Sequence, residues 1–279
     1  MDFQLGLIGY PLVHSLSPRI HAAALKSCDL DGRYSLFPIH PDDRKELKNL
    51  LGRVREGEIA GLNVTIPHKQ NVIQFMDELT PTAKGIGAVN TIYLRNHKLV
   101  GDNTDASGFL HDLKKFLPAE SRRYGDLHAL VLGAGGSARA VVYALVNDGW
   151  KVSITARRIE QALQLASHFK GVNVVESNLQ TFQLSNLQLI INTTPLGMSP
   201  KIDQSPWPEN LPFPPGAAIY DLVYNPRETK LVRDACLQGL PGTTGLGMLV
   251  EQAALSYEIW TGCRPPRETL LEAATQTTH

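Results

Sequence analysis

The sequence has little that would direct it to nucleic acid or to a lipid surface. Lysine plus arginine and aspartate plus glutamate each number 27, so the formal net charge is zero and no bulk attraction to nucleic acid or anionic membrane is expected. No apolar run approaches the length of a membrane span, and the start, MDFQLGLIGYPL, has too short an apolar stretch for a signal peptide. We therefore predict a soluble, cytoplasmic protein in which any anionic ligand must be held by local groups.

Cysteine is scarce as well. Cys28, Cys236 and Cys263 stand far apart and form no CxxC pair. Their odd number and wide spacing argue against a disulfide framework, so we expect reduced, mostly buried thiols. The sequence suggests no metal site.

What is present is an alternation typical of α/β proteins. At 279 residues, with an ordinary 43% hydrophobic content, the chain favours two domains. Strand-like runs separate helical patterns near residues 18–28, 42–55 and 67–79; the runs cover 3–9, 33–39, 59–66 and 88–94. Asn96 and His97 predict a tight turn, and therefore one antiparallel hairpin in a mixed sheet.

A second series of strand-like runs begins at residue 127. Six short runs, separated by helices or loops, read HALVLG, KVSITA, VNVV, LQLIINTT, AAIYDLV and LPGTT. That rhythm predicts a doubly wound sheet. The proline-rich stretch 198–215 predicts a loop over the sheet edge, and helices near 246–260 and 267–274 close the chain.

A glycine-rich turn follows the first of these strands. Gly133-x-Gly135-x-x-Ala138 joins the apolar strand 128–132 to a helical pattern. The glycines permit a tight turn and the close approach of a pyrophosphate to the helix N-terminus, where free N–H groups favour anions. The competing interpretation is a strand–helix turn with no ligand.

The end of the next strand bears on which dinucleotide would bind. An NAD site usually has a carboxylate there, whereas a 2′-phosphate favours a guanidinium. This chain has Ala156-Arg157-Arg158, which favours NADP. The alternative is a pair of solvated arginines at a strand end.

Lys69 is a candidate proton donor. Pro67 suits a first helical position, which would place the Lys69 ammonium in the first helical turn, where a cation opposes the helix dipole. A partly buried ammonium there could protonate a carbonyl under reduction. The alternative is a lysine that turns into solvent. His68 is a second candidate acid, but it would point about 100° away around the helix.

Asp105 and two serines also lie at predicted helix starts. Asp105 either caps its own helix or binds Lys69 through a charge-assisted hydrogen bond, with Asp102 as a spare candidate. Ser17 suits an N-cap before Pro18, and two hydroxyls at a helix start suit a substrate carboxylate. Capping explains Ser17 but leaves Ser15 unexplained.

Eight motifs in order carry a family resemblance: HSLSP at 14–18, NVTIPHK at 63–69, GAVNT at 87–91, GDNTD at 101–105, GAGGSAR at 133–139, NTTPLGM at 192–198, YDLVYNP at 220–226 and GLGMLVEQA at 245–253. Through them the chain resembles the shikimate dehydrogenase family over essentially its whole length. The resemblance implies reversible, NADP-dependent reduction of 3-dehydroshikimate to shikimate in aromatic amino acid biosynthesis.

The resemblance also implies roles for single residues. Lys69 and Asp105 look like the catalytic pair. Seven more residues look like further substrate contacts: Ser15, Ser17, Asn63, Thr65, Asn90, Tyr224 and Gln252. The residues at the family's cofactor-contact positions are Gly133, Ala134, Gly135, Gly136, Ser137, Arg157, Arg158, Leu222 and Gly245. The implied substrate domain is discontinuous, 1–105 with 246–279, around a Rossmann-like NADP domain, 106–245.

The match has departures and leaves two rivals. Pro81 falls where some members have an acidic residue near the cofactor, so no contact is assigned there. Many members have Asn-Arg-Thr where this chain has Ala156-Arg157-Arg158, which removes an amide and adds a charge. One rival is a quinate/shikimate dehydrogenase using NAD, whose acidic residue after the second strand is absent here. The other is a non-catalytic, ligand-sensing paralogue, which predicts loss of Lys69 or Asp105. Both a monomer and a homodimer are compatible with the sequence.

Overall fold

A computed structural model describes residues 2–118, 127–176, 179 and 186–276. The chain divides into two compact units. We call Met1–Gly108 together with Leu249–His279 the first unit, and Phe109–Met248 the second unit. That the first binds substrate and the second binds cofactor stays a prediction. Within the described residues, no helix is both long and apolar enough to cross a membrane.

The first unit is built on a mixed sheet. Its strands are β1 (Phe3–Gly9), β2 (Gly32–Pro38), β3 (Gly61–Val64), β4 (Glu78–Leu79), β5 (Thr91–Arg95) and β6 (Lys98–Asp102), in the order β2-β1-β3-β5-β6-β4. β1 runs parallel to β2 and β3, whereas β5 is antiparallel to β3 and β6. Asn96 and His97 both have positive φ, 51° and 59°, which confirms the predicted tight turn.

Helices cover this sheet. They are α1 (Ser17–Ser27), α2 (Arg44–Arg55), α3 (Pro81–Ile86) and the beginning of α4 (Asp105–Phe116), followed late in the chain by α8 (Leu246–Thr261) and α9 (Arg267–Thr275). α2 shows how the pattern dictates packing, because Leu47, Leu50, Leu51 and Val54 recur at helical spacing and are all buried. They form one core with strand residues such as Ile8, Leu62 and Ile92.

The predicted helix over 67–79 is wrong. Residues 66–70 form turns, Asn71–Phe75 is a short 3-10 helix, and Glu78–Leu79 is strand β4. The Asp77 N–H donates to the carbonyl of Leu99 at 2.9 Å, so pairing with β6 draws the chain into the sheet. Tertiary pairing overrides the local helical pattern, and Lys69 therefore lies in a turn rather than in the first turn of a helix.

The second unit has a wholly parallel sheet. Its strands are β7 (His128–Leu132), β8 (Lys151–Thr155), β9 (Asn173–Val174), β10 (Leu189–Asn192), β11 (Ala218–Asp221) and β12 (Gly242–Thr244), in the order β12-β11-β10-β7-β8-β9. All six predicted strands are present in this sheet. The order, with β7 and β10 adjacent at the centre, is that of doubly wound dinucleotide-binding folds, so this prediction is confirmed.

The connections of the second unit include α5 (Gly136–Asn147), α6 (Ile159–Ala166) and α7 (Lys230–Leu237). The proline-rich stretch 198–215 is irregular, as predicted, and two of its aromatic residues belong to the core of the unit. Trp207 and Phe213 stack with ring centroids 5.1 Å apart, and both are buried in one core with Leu130 and Ile190.

The prediction of reduced, mostly buried thiols is wrong for Cys28 and Cys263, and for Cys236 it is wrong only about burial. Cys28 and Cys263 form a disulfide although 235 positions separate them, and Cys236 is free but exposed. The sequence spacing concealed the pairing because α1 and the C-terminal segment pack side by side. Arg19 of α1, for example, donates to the carbonyl of Ala273 at 2.6 Å.

Candidate functional site

Two charged side chains meet inside the first unit. Lys69 lies in the turn after β3, and Asp105 is the first residue of α4. The Lys69 Nζ donates to Asp105 Oδ2 at 2.6 Å, and the side chains are only 10% and 6% exposed. The structure thus brings together two residues 36 positions apart and removes both from bulk water.

The competing roles of Asp105 can now be compared. An N-cap carboxylate would face its own helix, but the Asp105 side chain faces Lys69, and the amide oxygen of Asn103 accepts from the Asp105 backbone N–H at 3.0 Å. Asp102 is directed elsewhere, because its Oδ1 accepts from the Thr80 hydroxyl at 2.6 Å. The carboxylate beside Lys69 is therefore Asp105.

Asn90 holds the other oxygen of that carboxylate. Its Nδ2 donates to Asp105 Oδ1 at 2.9 Å, while its Oδ1 accepts from the backbone N–H of Thr104 at 2.8 Å. Since a backbone N–H can only donate, this contact fixes which end of the carboxamide faces Asp105. Asn90 is only 2% exposed, so the pair is presented with a defined orientation.

Asn63 and Gln252 lie in the same hydrogen-bonded group. Asn63, on β3, donates to the backbone carbonyl of Asn90 at 3.2 Å. Gln252, on α8, places its Oε1 3.3 Å from the Asn90 Nδ2. Both side chains are buried, so five of the predicted site residues converge: Asn63, Lys69, Asn90, Asp105 and Gln252.

Ser17 does not play the capping role expected from the sequence. α1 begins at Ser17, so its N-cap position is Leu16, whose side chain makes no capping hydrogen bond. The Ser17 backbone N–H instead donates to the Ser15 hydroxyl at 3.3 Å. The prediction that Ser17 caps the helix is therefore wrong, and local hydrogen bonding accounts for Ser15. Thr65 follows β3 and is partly exposed.

His68 does not compete with Lys69. It is 1% exposed, and its Nε2 lies 2.7 Å from the carbonyl oxygen of Ile39. A carbonyl only accepts, so Nε2 carries the proton and the ring is anchored in the core. Tyr224, the remaining predicted substrate contact, belongs to the second unit, where burial raises the pKa of its hydroxyl.

In the second unit the glycine turn has a backbone that requires glycine. Gly133 has φ +115°, and a Cβ added there would lie 2.4 Å from the Thr193 Oγ1. α5 starts at Gly136, directly after this turn, so Ala134, Gly135 and Ser137 surround a helix N-terminus. Backbone N–H groups at such an end bind anions well. The turn therefore fits a dinucleotide pyrophosphate.

The other predicted cofactor residues lie at carboxyl ends of strands in the same sheet. Arg157 and Arg158 follow β8 and are exposed, and no carboxylate lies between β8 and α6. Leu222 follows β11, and a Cβ at Gly245 would lie 2.3 Å from the Leu222 carbonyl oxygen. Ligands of open α/β sheets bind at this edge. The donor set fits a phosphate-bearing nucleotide.

Four polar residues of the site were missed from the sequence. They are buried or half-buried hydroxyls that touch the predicted amides: Tyr34, Thr91, Thr104 and Ser256. Ser256 had a detectable signal, because it follows Gln252 by four residues and so shares its helix face. The others become apparent only when the strands are aligned.

Three family descriptions match the chain in separate stretches. "Shikimate dehydrogenase substrate binding domain" matches residues 7–92, "Shikimate / quinate 5-dehydrogenase" matches 118–199, and "Shikimate 5'-dehydrogenase C-terminal domain" matches 245–275. A curated relative, shikimate dehydrogenase (NADP(+)) of Salinibacter ruber, is 40% identical over 96% of this chain and 95% of its own length.

Solved structures agree with these matches. Shikimate 5-dehydrogenase from Thermus thermophilus, in complex with NADP(H) and shikimate, is 38% identical with a TM-score of 0.85 and covers 98% of both chains. Quinate dehydrogenase from Corynebacterium glutamicum, in complex with NAD, is 28% identical with a TM-score of 0.86, over 98% of this chain and 99% of that one. Fold, motifs and near-complete coverage agree: the chain belongs to the shikimate dehydrogenase family.

Proposed function

We propose that this protein catalyses the reversible, NADP-dependent interconversion of shikimate and 3-dehydroshikimate, a step of aromatic amino acid biosynthesis. The observation that carries the proposal is the buried contact of 2.6 Å between Lys69 and Asp105. NADP(+)-dependent relatives at about two-fifths identity support the choice of reaction and cofactor. The NADP(H) and shikimate complex of a similar chain supports it further.

The proposed chemistry assigns Lys69 the proton. Bound NADP would supply or take up the hydride, which is chemistry that no side chain offers. Lys69 would donate a proton to the substrate carbonyl oxygen in reduction and accept it from the hydroxyl in oxidation. Asp105 would orient the ammonium, and Asn90 would hold Asp105 from its other side. The hydrogen bonds that Lys69 and Asn90 make to the two oxygens of Asp105 support these positioning roles.

The remaining substrate contacts are proposed by position in the family motifs. Asn63, Asn90 and Gln252 offer carboxamides to ring hydroxyls, and Ser15 and Ser17 offer hydroxyls to the substrate carboxylate. The first three are supported by their convergence around Asp105. Thr65 and Tyr224 are proposed on family position alone. We propose the first unit for substrate and the second for NADP.

The cofactor residues form a second part of the proposal. The turn from Gly133 to Ser137 would hold the pyrophosphate, with Leu222 and Gly245 at the same sheet edge. Arg157 and Arg158 would bind the 2′-phosphate, because no carboxylate follows β8. The NAD-bound quinate dehydrogenase of similar fold makes quinate oxidation with NAD the specific alternative.

One experiment separates these reactions. The purified protein is given shikimate or quinate, each with NADP⁺ or NAD⁺, and reduction of the cofactor is followed by absorbance. We expect shikimate with NADP⁺ to give the highest kcat/KM. A higher value for quinate with NAD⁺ would favour the alternative, and no turnover in any combination would favour a ligand-sensing paralogue.

Location and assembly stay predictions from the sequence. We expect a cytoplasmic protein, monomeric or homodimeric. The disulfide between Cys28 and Cys263 is of a kind more common in oxidising compartments, so the redox state of these two cysteines in cells bears directly on that expectation.

A further inference from the structure

Three hydroxyl groups meet beneath the proposed substrate site of the first unit. The Ser256 Oγ lies 2.8 Å from Thr91 Oγ1 and 3.0 Å from Thr104 Oγ1. Ser256 and Thr91 are fully buried, and Thr104 is 5% exposed. We call Ser256, Thr91 and Thr104 the hydroxyl cluster. Because these three hydroxyls are buried away from water, each must find its hydrogen-bond partners inside the protein, and their clustering calls for an explanation.

The hydroxyl cluster touches both carboxamides of the site. On one side, Asn63 Nδ2 donates to Ser256 Oγ at 2.9 Å. On the other side, the Thr91 hydroxyl donates to Asn90 Oδ1 at 2.9 Å, and Asn90 Nδ2 donates to Thr104 Oγ1 at 3.0 Å. Asn90 in turn binds Asp105. A continuous set of hydrogen bonds thus runs from Asn63 to the Lys69–Asp105 pair.

Ser256 is the member that connects the two sides. An amide N–H only donates, so Ser256 Oγ must accept from Asn63. Its single proton has two acceptors in reach, the Gln252 carbonyl at 3.0 Å and Thr91 Oγ1 at 2.8 Å, whose own proton goes to Asn90 Oδ1. In both arrangements Ser256 Oγ accepts from Asn63 Nδ2. The backbone carbonyl of Asn90, which can only accept, identifies this end of Asn63 as the nitrogen.

Tyr34 acts on the opposite end of the same amide. Its hydroxyl donates to Asn63 Oδ1 at 2.8 Å, and its ring stacks on His21 with centroids 4.1 Å apart and planes 2° apart. The stack holds the tyrosine in place, and its hydroxyl donates to the end of Asn63 that the contact with the Asn90 carbonyl leaves as the oxygen. Asn63 is therefore restrained from two elements, β2 through Tyr34 and α8 through Ser256.

If Ser256 had only an ordinary structural role in its helix, its hydroxyl would be expected to make fewer contacts. Serine and threonine in helices often donate to the carbonyl four residues earlier without touching anything else of note. Thr261, on the same helix, donates to the Tyr257 carbonyl at 2.8 Å in this way and also accepts from the backbone N–H of Cys263, two residues further on, at 3.2 Å. Ser256 makes the same bond to Gln252 but adds three contacts outside its helix, to Asn63, Thr91 and Thr104.

We propose that Ser256 is a positioning residue that, together with Tyr34, fixes the carboxamide of Asn63 for the substrate and couples it through the hydroxyl cluster to Asn90 and Asp105. This inference rests on the proposed function, because Asn63 is the residue that would touch shikimate. Ser256 itself touches no substrate atom. Its effect is exerted on substrate affinity rather than on the proton transfer.

The Ser256→Ala variant removes the acceptor of one Asn63 N–H. We expect the KM for shikimate to rise about tenfold, because the variant leaves a buried N–H of Asn63 without its acceptor. The KM for NADP⁺ should stay within twofold and kcat should fall less than KM rises. Thr261→Val is the matched control, since it removes a helix hydroxyl with the same backbone contact, and it should leave both KM values unchanged.

A double-mutant cycle separates positioning from simple packing. In an Asn63→Ala background the Ser256→Ala change should have no further effect on the shikimate KM, because its target is gone. Tyr34→Phe and Ser256→Ala should likewise combine non-additively, whereas independent structural damage would add. If the alanine variant does not fold, Ser256→Cys replaces it. Cysteine is of similar size and keeps a weak donor and acceptor, so we expect the shikimate KM to rise above the wild-type value by less than about tenfold.

The outcomes distinguish this inference from the proposed function. If the wild-type protein does not oxidise shikimate with NADP⁺, the proposed function fails and this inference with it. If the wild type is active and the shikimate KM of Ser256→Ala equals that of the wild type, only the role of Ser256 is refuted. Equal effects of Ser256→Ala with and without Asn63 would also refute it.

Discussion

The two units present their polar groups in different ways. In the second unit the proposed anion site is mostly main chain, a turn at the N-terminus of α5 where Gly133 adopts φ +115°. In the first unit the site is almost entirely side chain, with Lys69, Asp105 and Asn90 joined by direct hydrogen bonds. A main-chain site is sensitive to the shape of its backbone, whereas a side-chain site is sensitive to the removal of single functional groups.

The largest effect should come from the side-chain site. Lys69→Ala removes the proposed proton donor, and we expect kcat to fall by about 10²–10⁴-fold, the usual contribution of a positioned acid–base group. Shikimate binding should change much less. Steady-state kinetics and shikimate titration measure the two quantities.

Lys69→Ala also leaves the buried Asp105 carboxylate without its cation, which can destabilise the fold. Lys69→Met fills more of the space, and thermal unfolding of both variants checks folding. Lys45→Ala, at an exposed position of α2, is the control and should behave as the wild type. Near-normal turnover in a folded Lys69 variant would exclude it as the proton donor.

The main-chain site should respond most to Gly133→Ala. Alanine disfavours φ +115°, and its Cβ would overlap the Thr193 Oγ1 at 2.4 Å. We expect the Kd for NADP⁺ to rise at least tenfold, measured by calorimetric titration, while the Kd for shikimate changes little. Gly52→Ala, where an added Cβ meets nothing, should leave both unchanged. Equal losses for the two ligands would mean general unfolding instead.

Arg157 and Arg158 would contribute side chains to the cofactor site of the second unit, which is otherwise mostly main chain. Replacing them therefore tests the contrast between main-chain and side-chain sites. Replacing Arg157 and Arg158 together by alanine removes guanidinium contacts that, at this exposed position, are together worth about 1.5–3 kcal/mol. We expect the NADP⁺ Kd to rise about 10–100-fold and the NAD⁺ Kd to change less than threefold. Arg233→Ala, an exposed arginine of α7, is the matched control. A parallel loss for NADP⁺ and NAD⁺ would argue against 2′-phosphate recognition.

The smallest effects concern stability, and we take one buried titrating group from each unit. Burial lowers the pKa of His21 to about 3, so its contribution to stability is complete above pH 6.5 and is lost as the pH falls towards 3. Burial raises the pKa of Asp221 to about 6, although hydrogen bonds from Thr229, Val223 and Asn192 oppose the shift. The folded state therefore gains stability from Asp221 as the pH falls from about 6 to about 4.

Between pH 6 and pH 4 these two contributions oppose each other, at about 1.4 kcal/mol per pH unit each. Relative to wild type, His21→Phe should gain stability as the pH falls through this range, and Asp221→Asn should lose it. Calorimetric unfolding at pH 4, 5 and 6 measures both. Two separate transitions, each moved by only one variant, would show that the units unfold independently, and pH-independent differences would refute both shifts.

The same contrast explains what could be predicted. Strand patterns, the turn at Asn96 and the glycine motif depend on neighbours in sequence, and the structure agrees with them. The helix over 67–79 was predicted wrongly because pairing of β4 with β6, a distant interaction, decides that segment. Ser17 was misjudged because a cap differs from the first helical residue by a single position.

The polar network of the first unit was only partly predictable for the same reason. Family motifs indicated Lys69 and Asp105 but gave no distance between them. Tyr34 has no recognisable pattern, and Ser256 is indicated only by its spacing of four residues from Gln252. The importance of Ser256 and Tyr34 comes from meeting Asn63, which lies 193 and 29 positions away. Only the folded chain places a helix and a strand from opposite ends of the sequence around one amide.

The disulfide between Cys28 and Cys263 turns most of the polypeptide into a covalent loop, because all but short segments at either end lie between these cysteines. A protease that cuts a single peptide bond inside this loop would leave the molecule at its full mass. The two pieces would separate on a gel only after a thiol is added, so limited proteolysis followed without reductant would underestimate how readily this protein is cleaved.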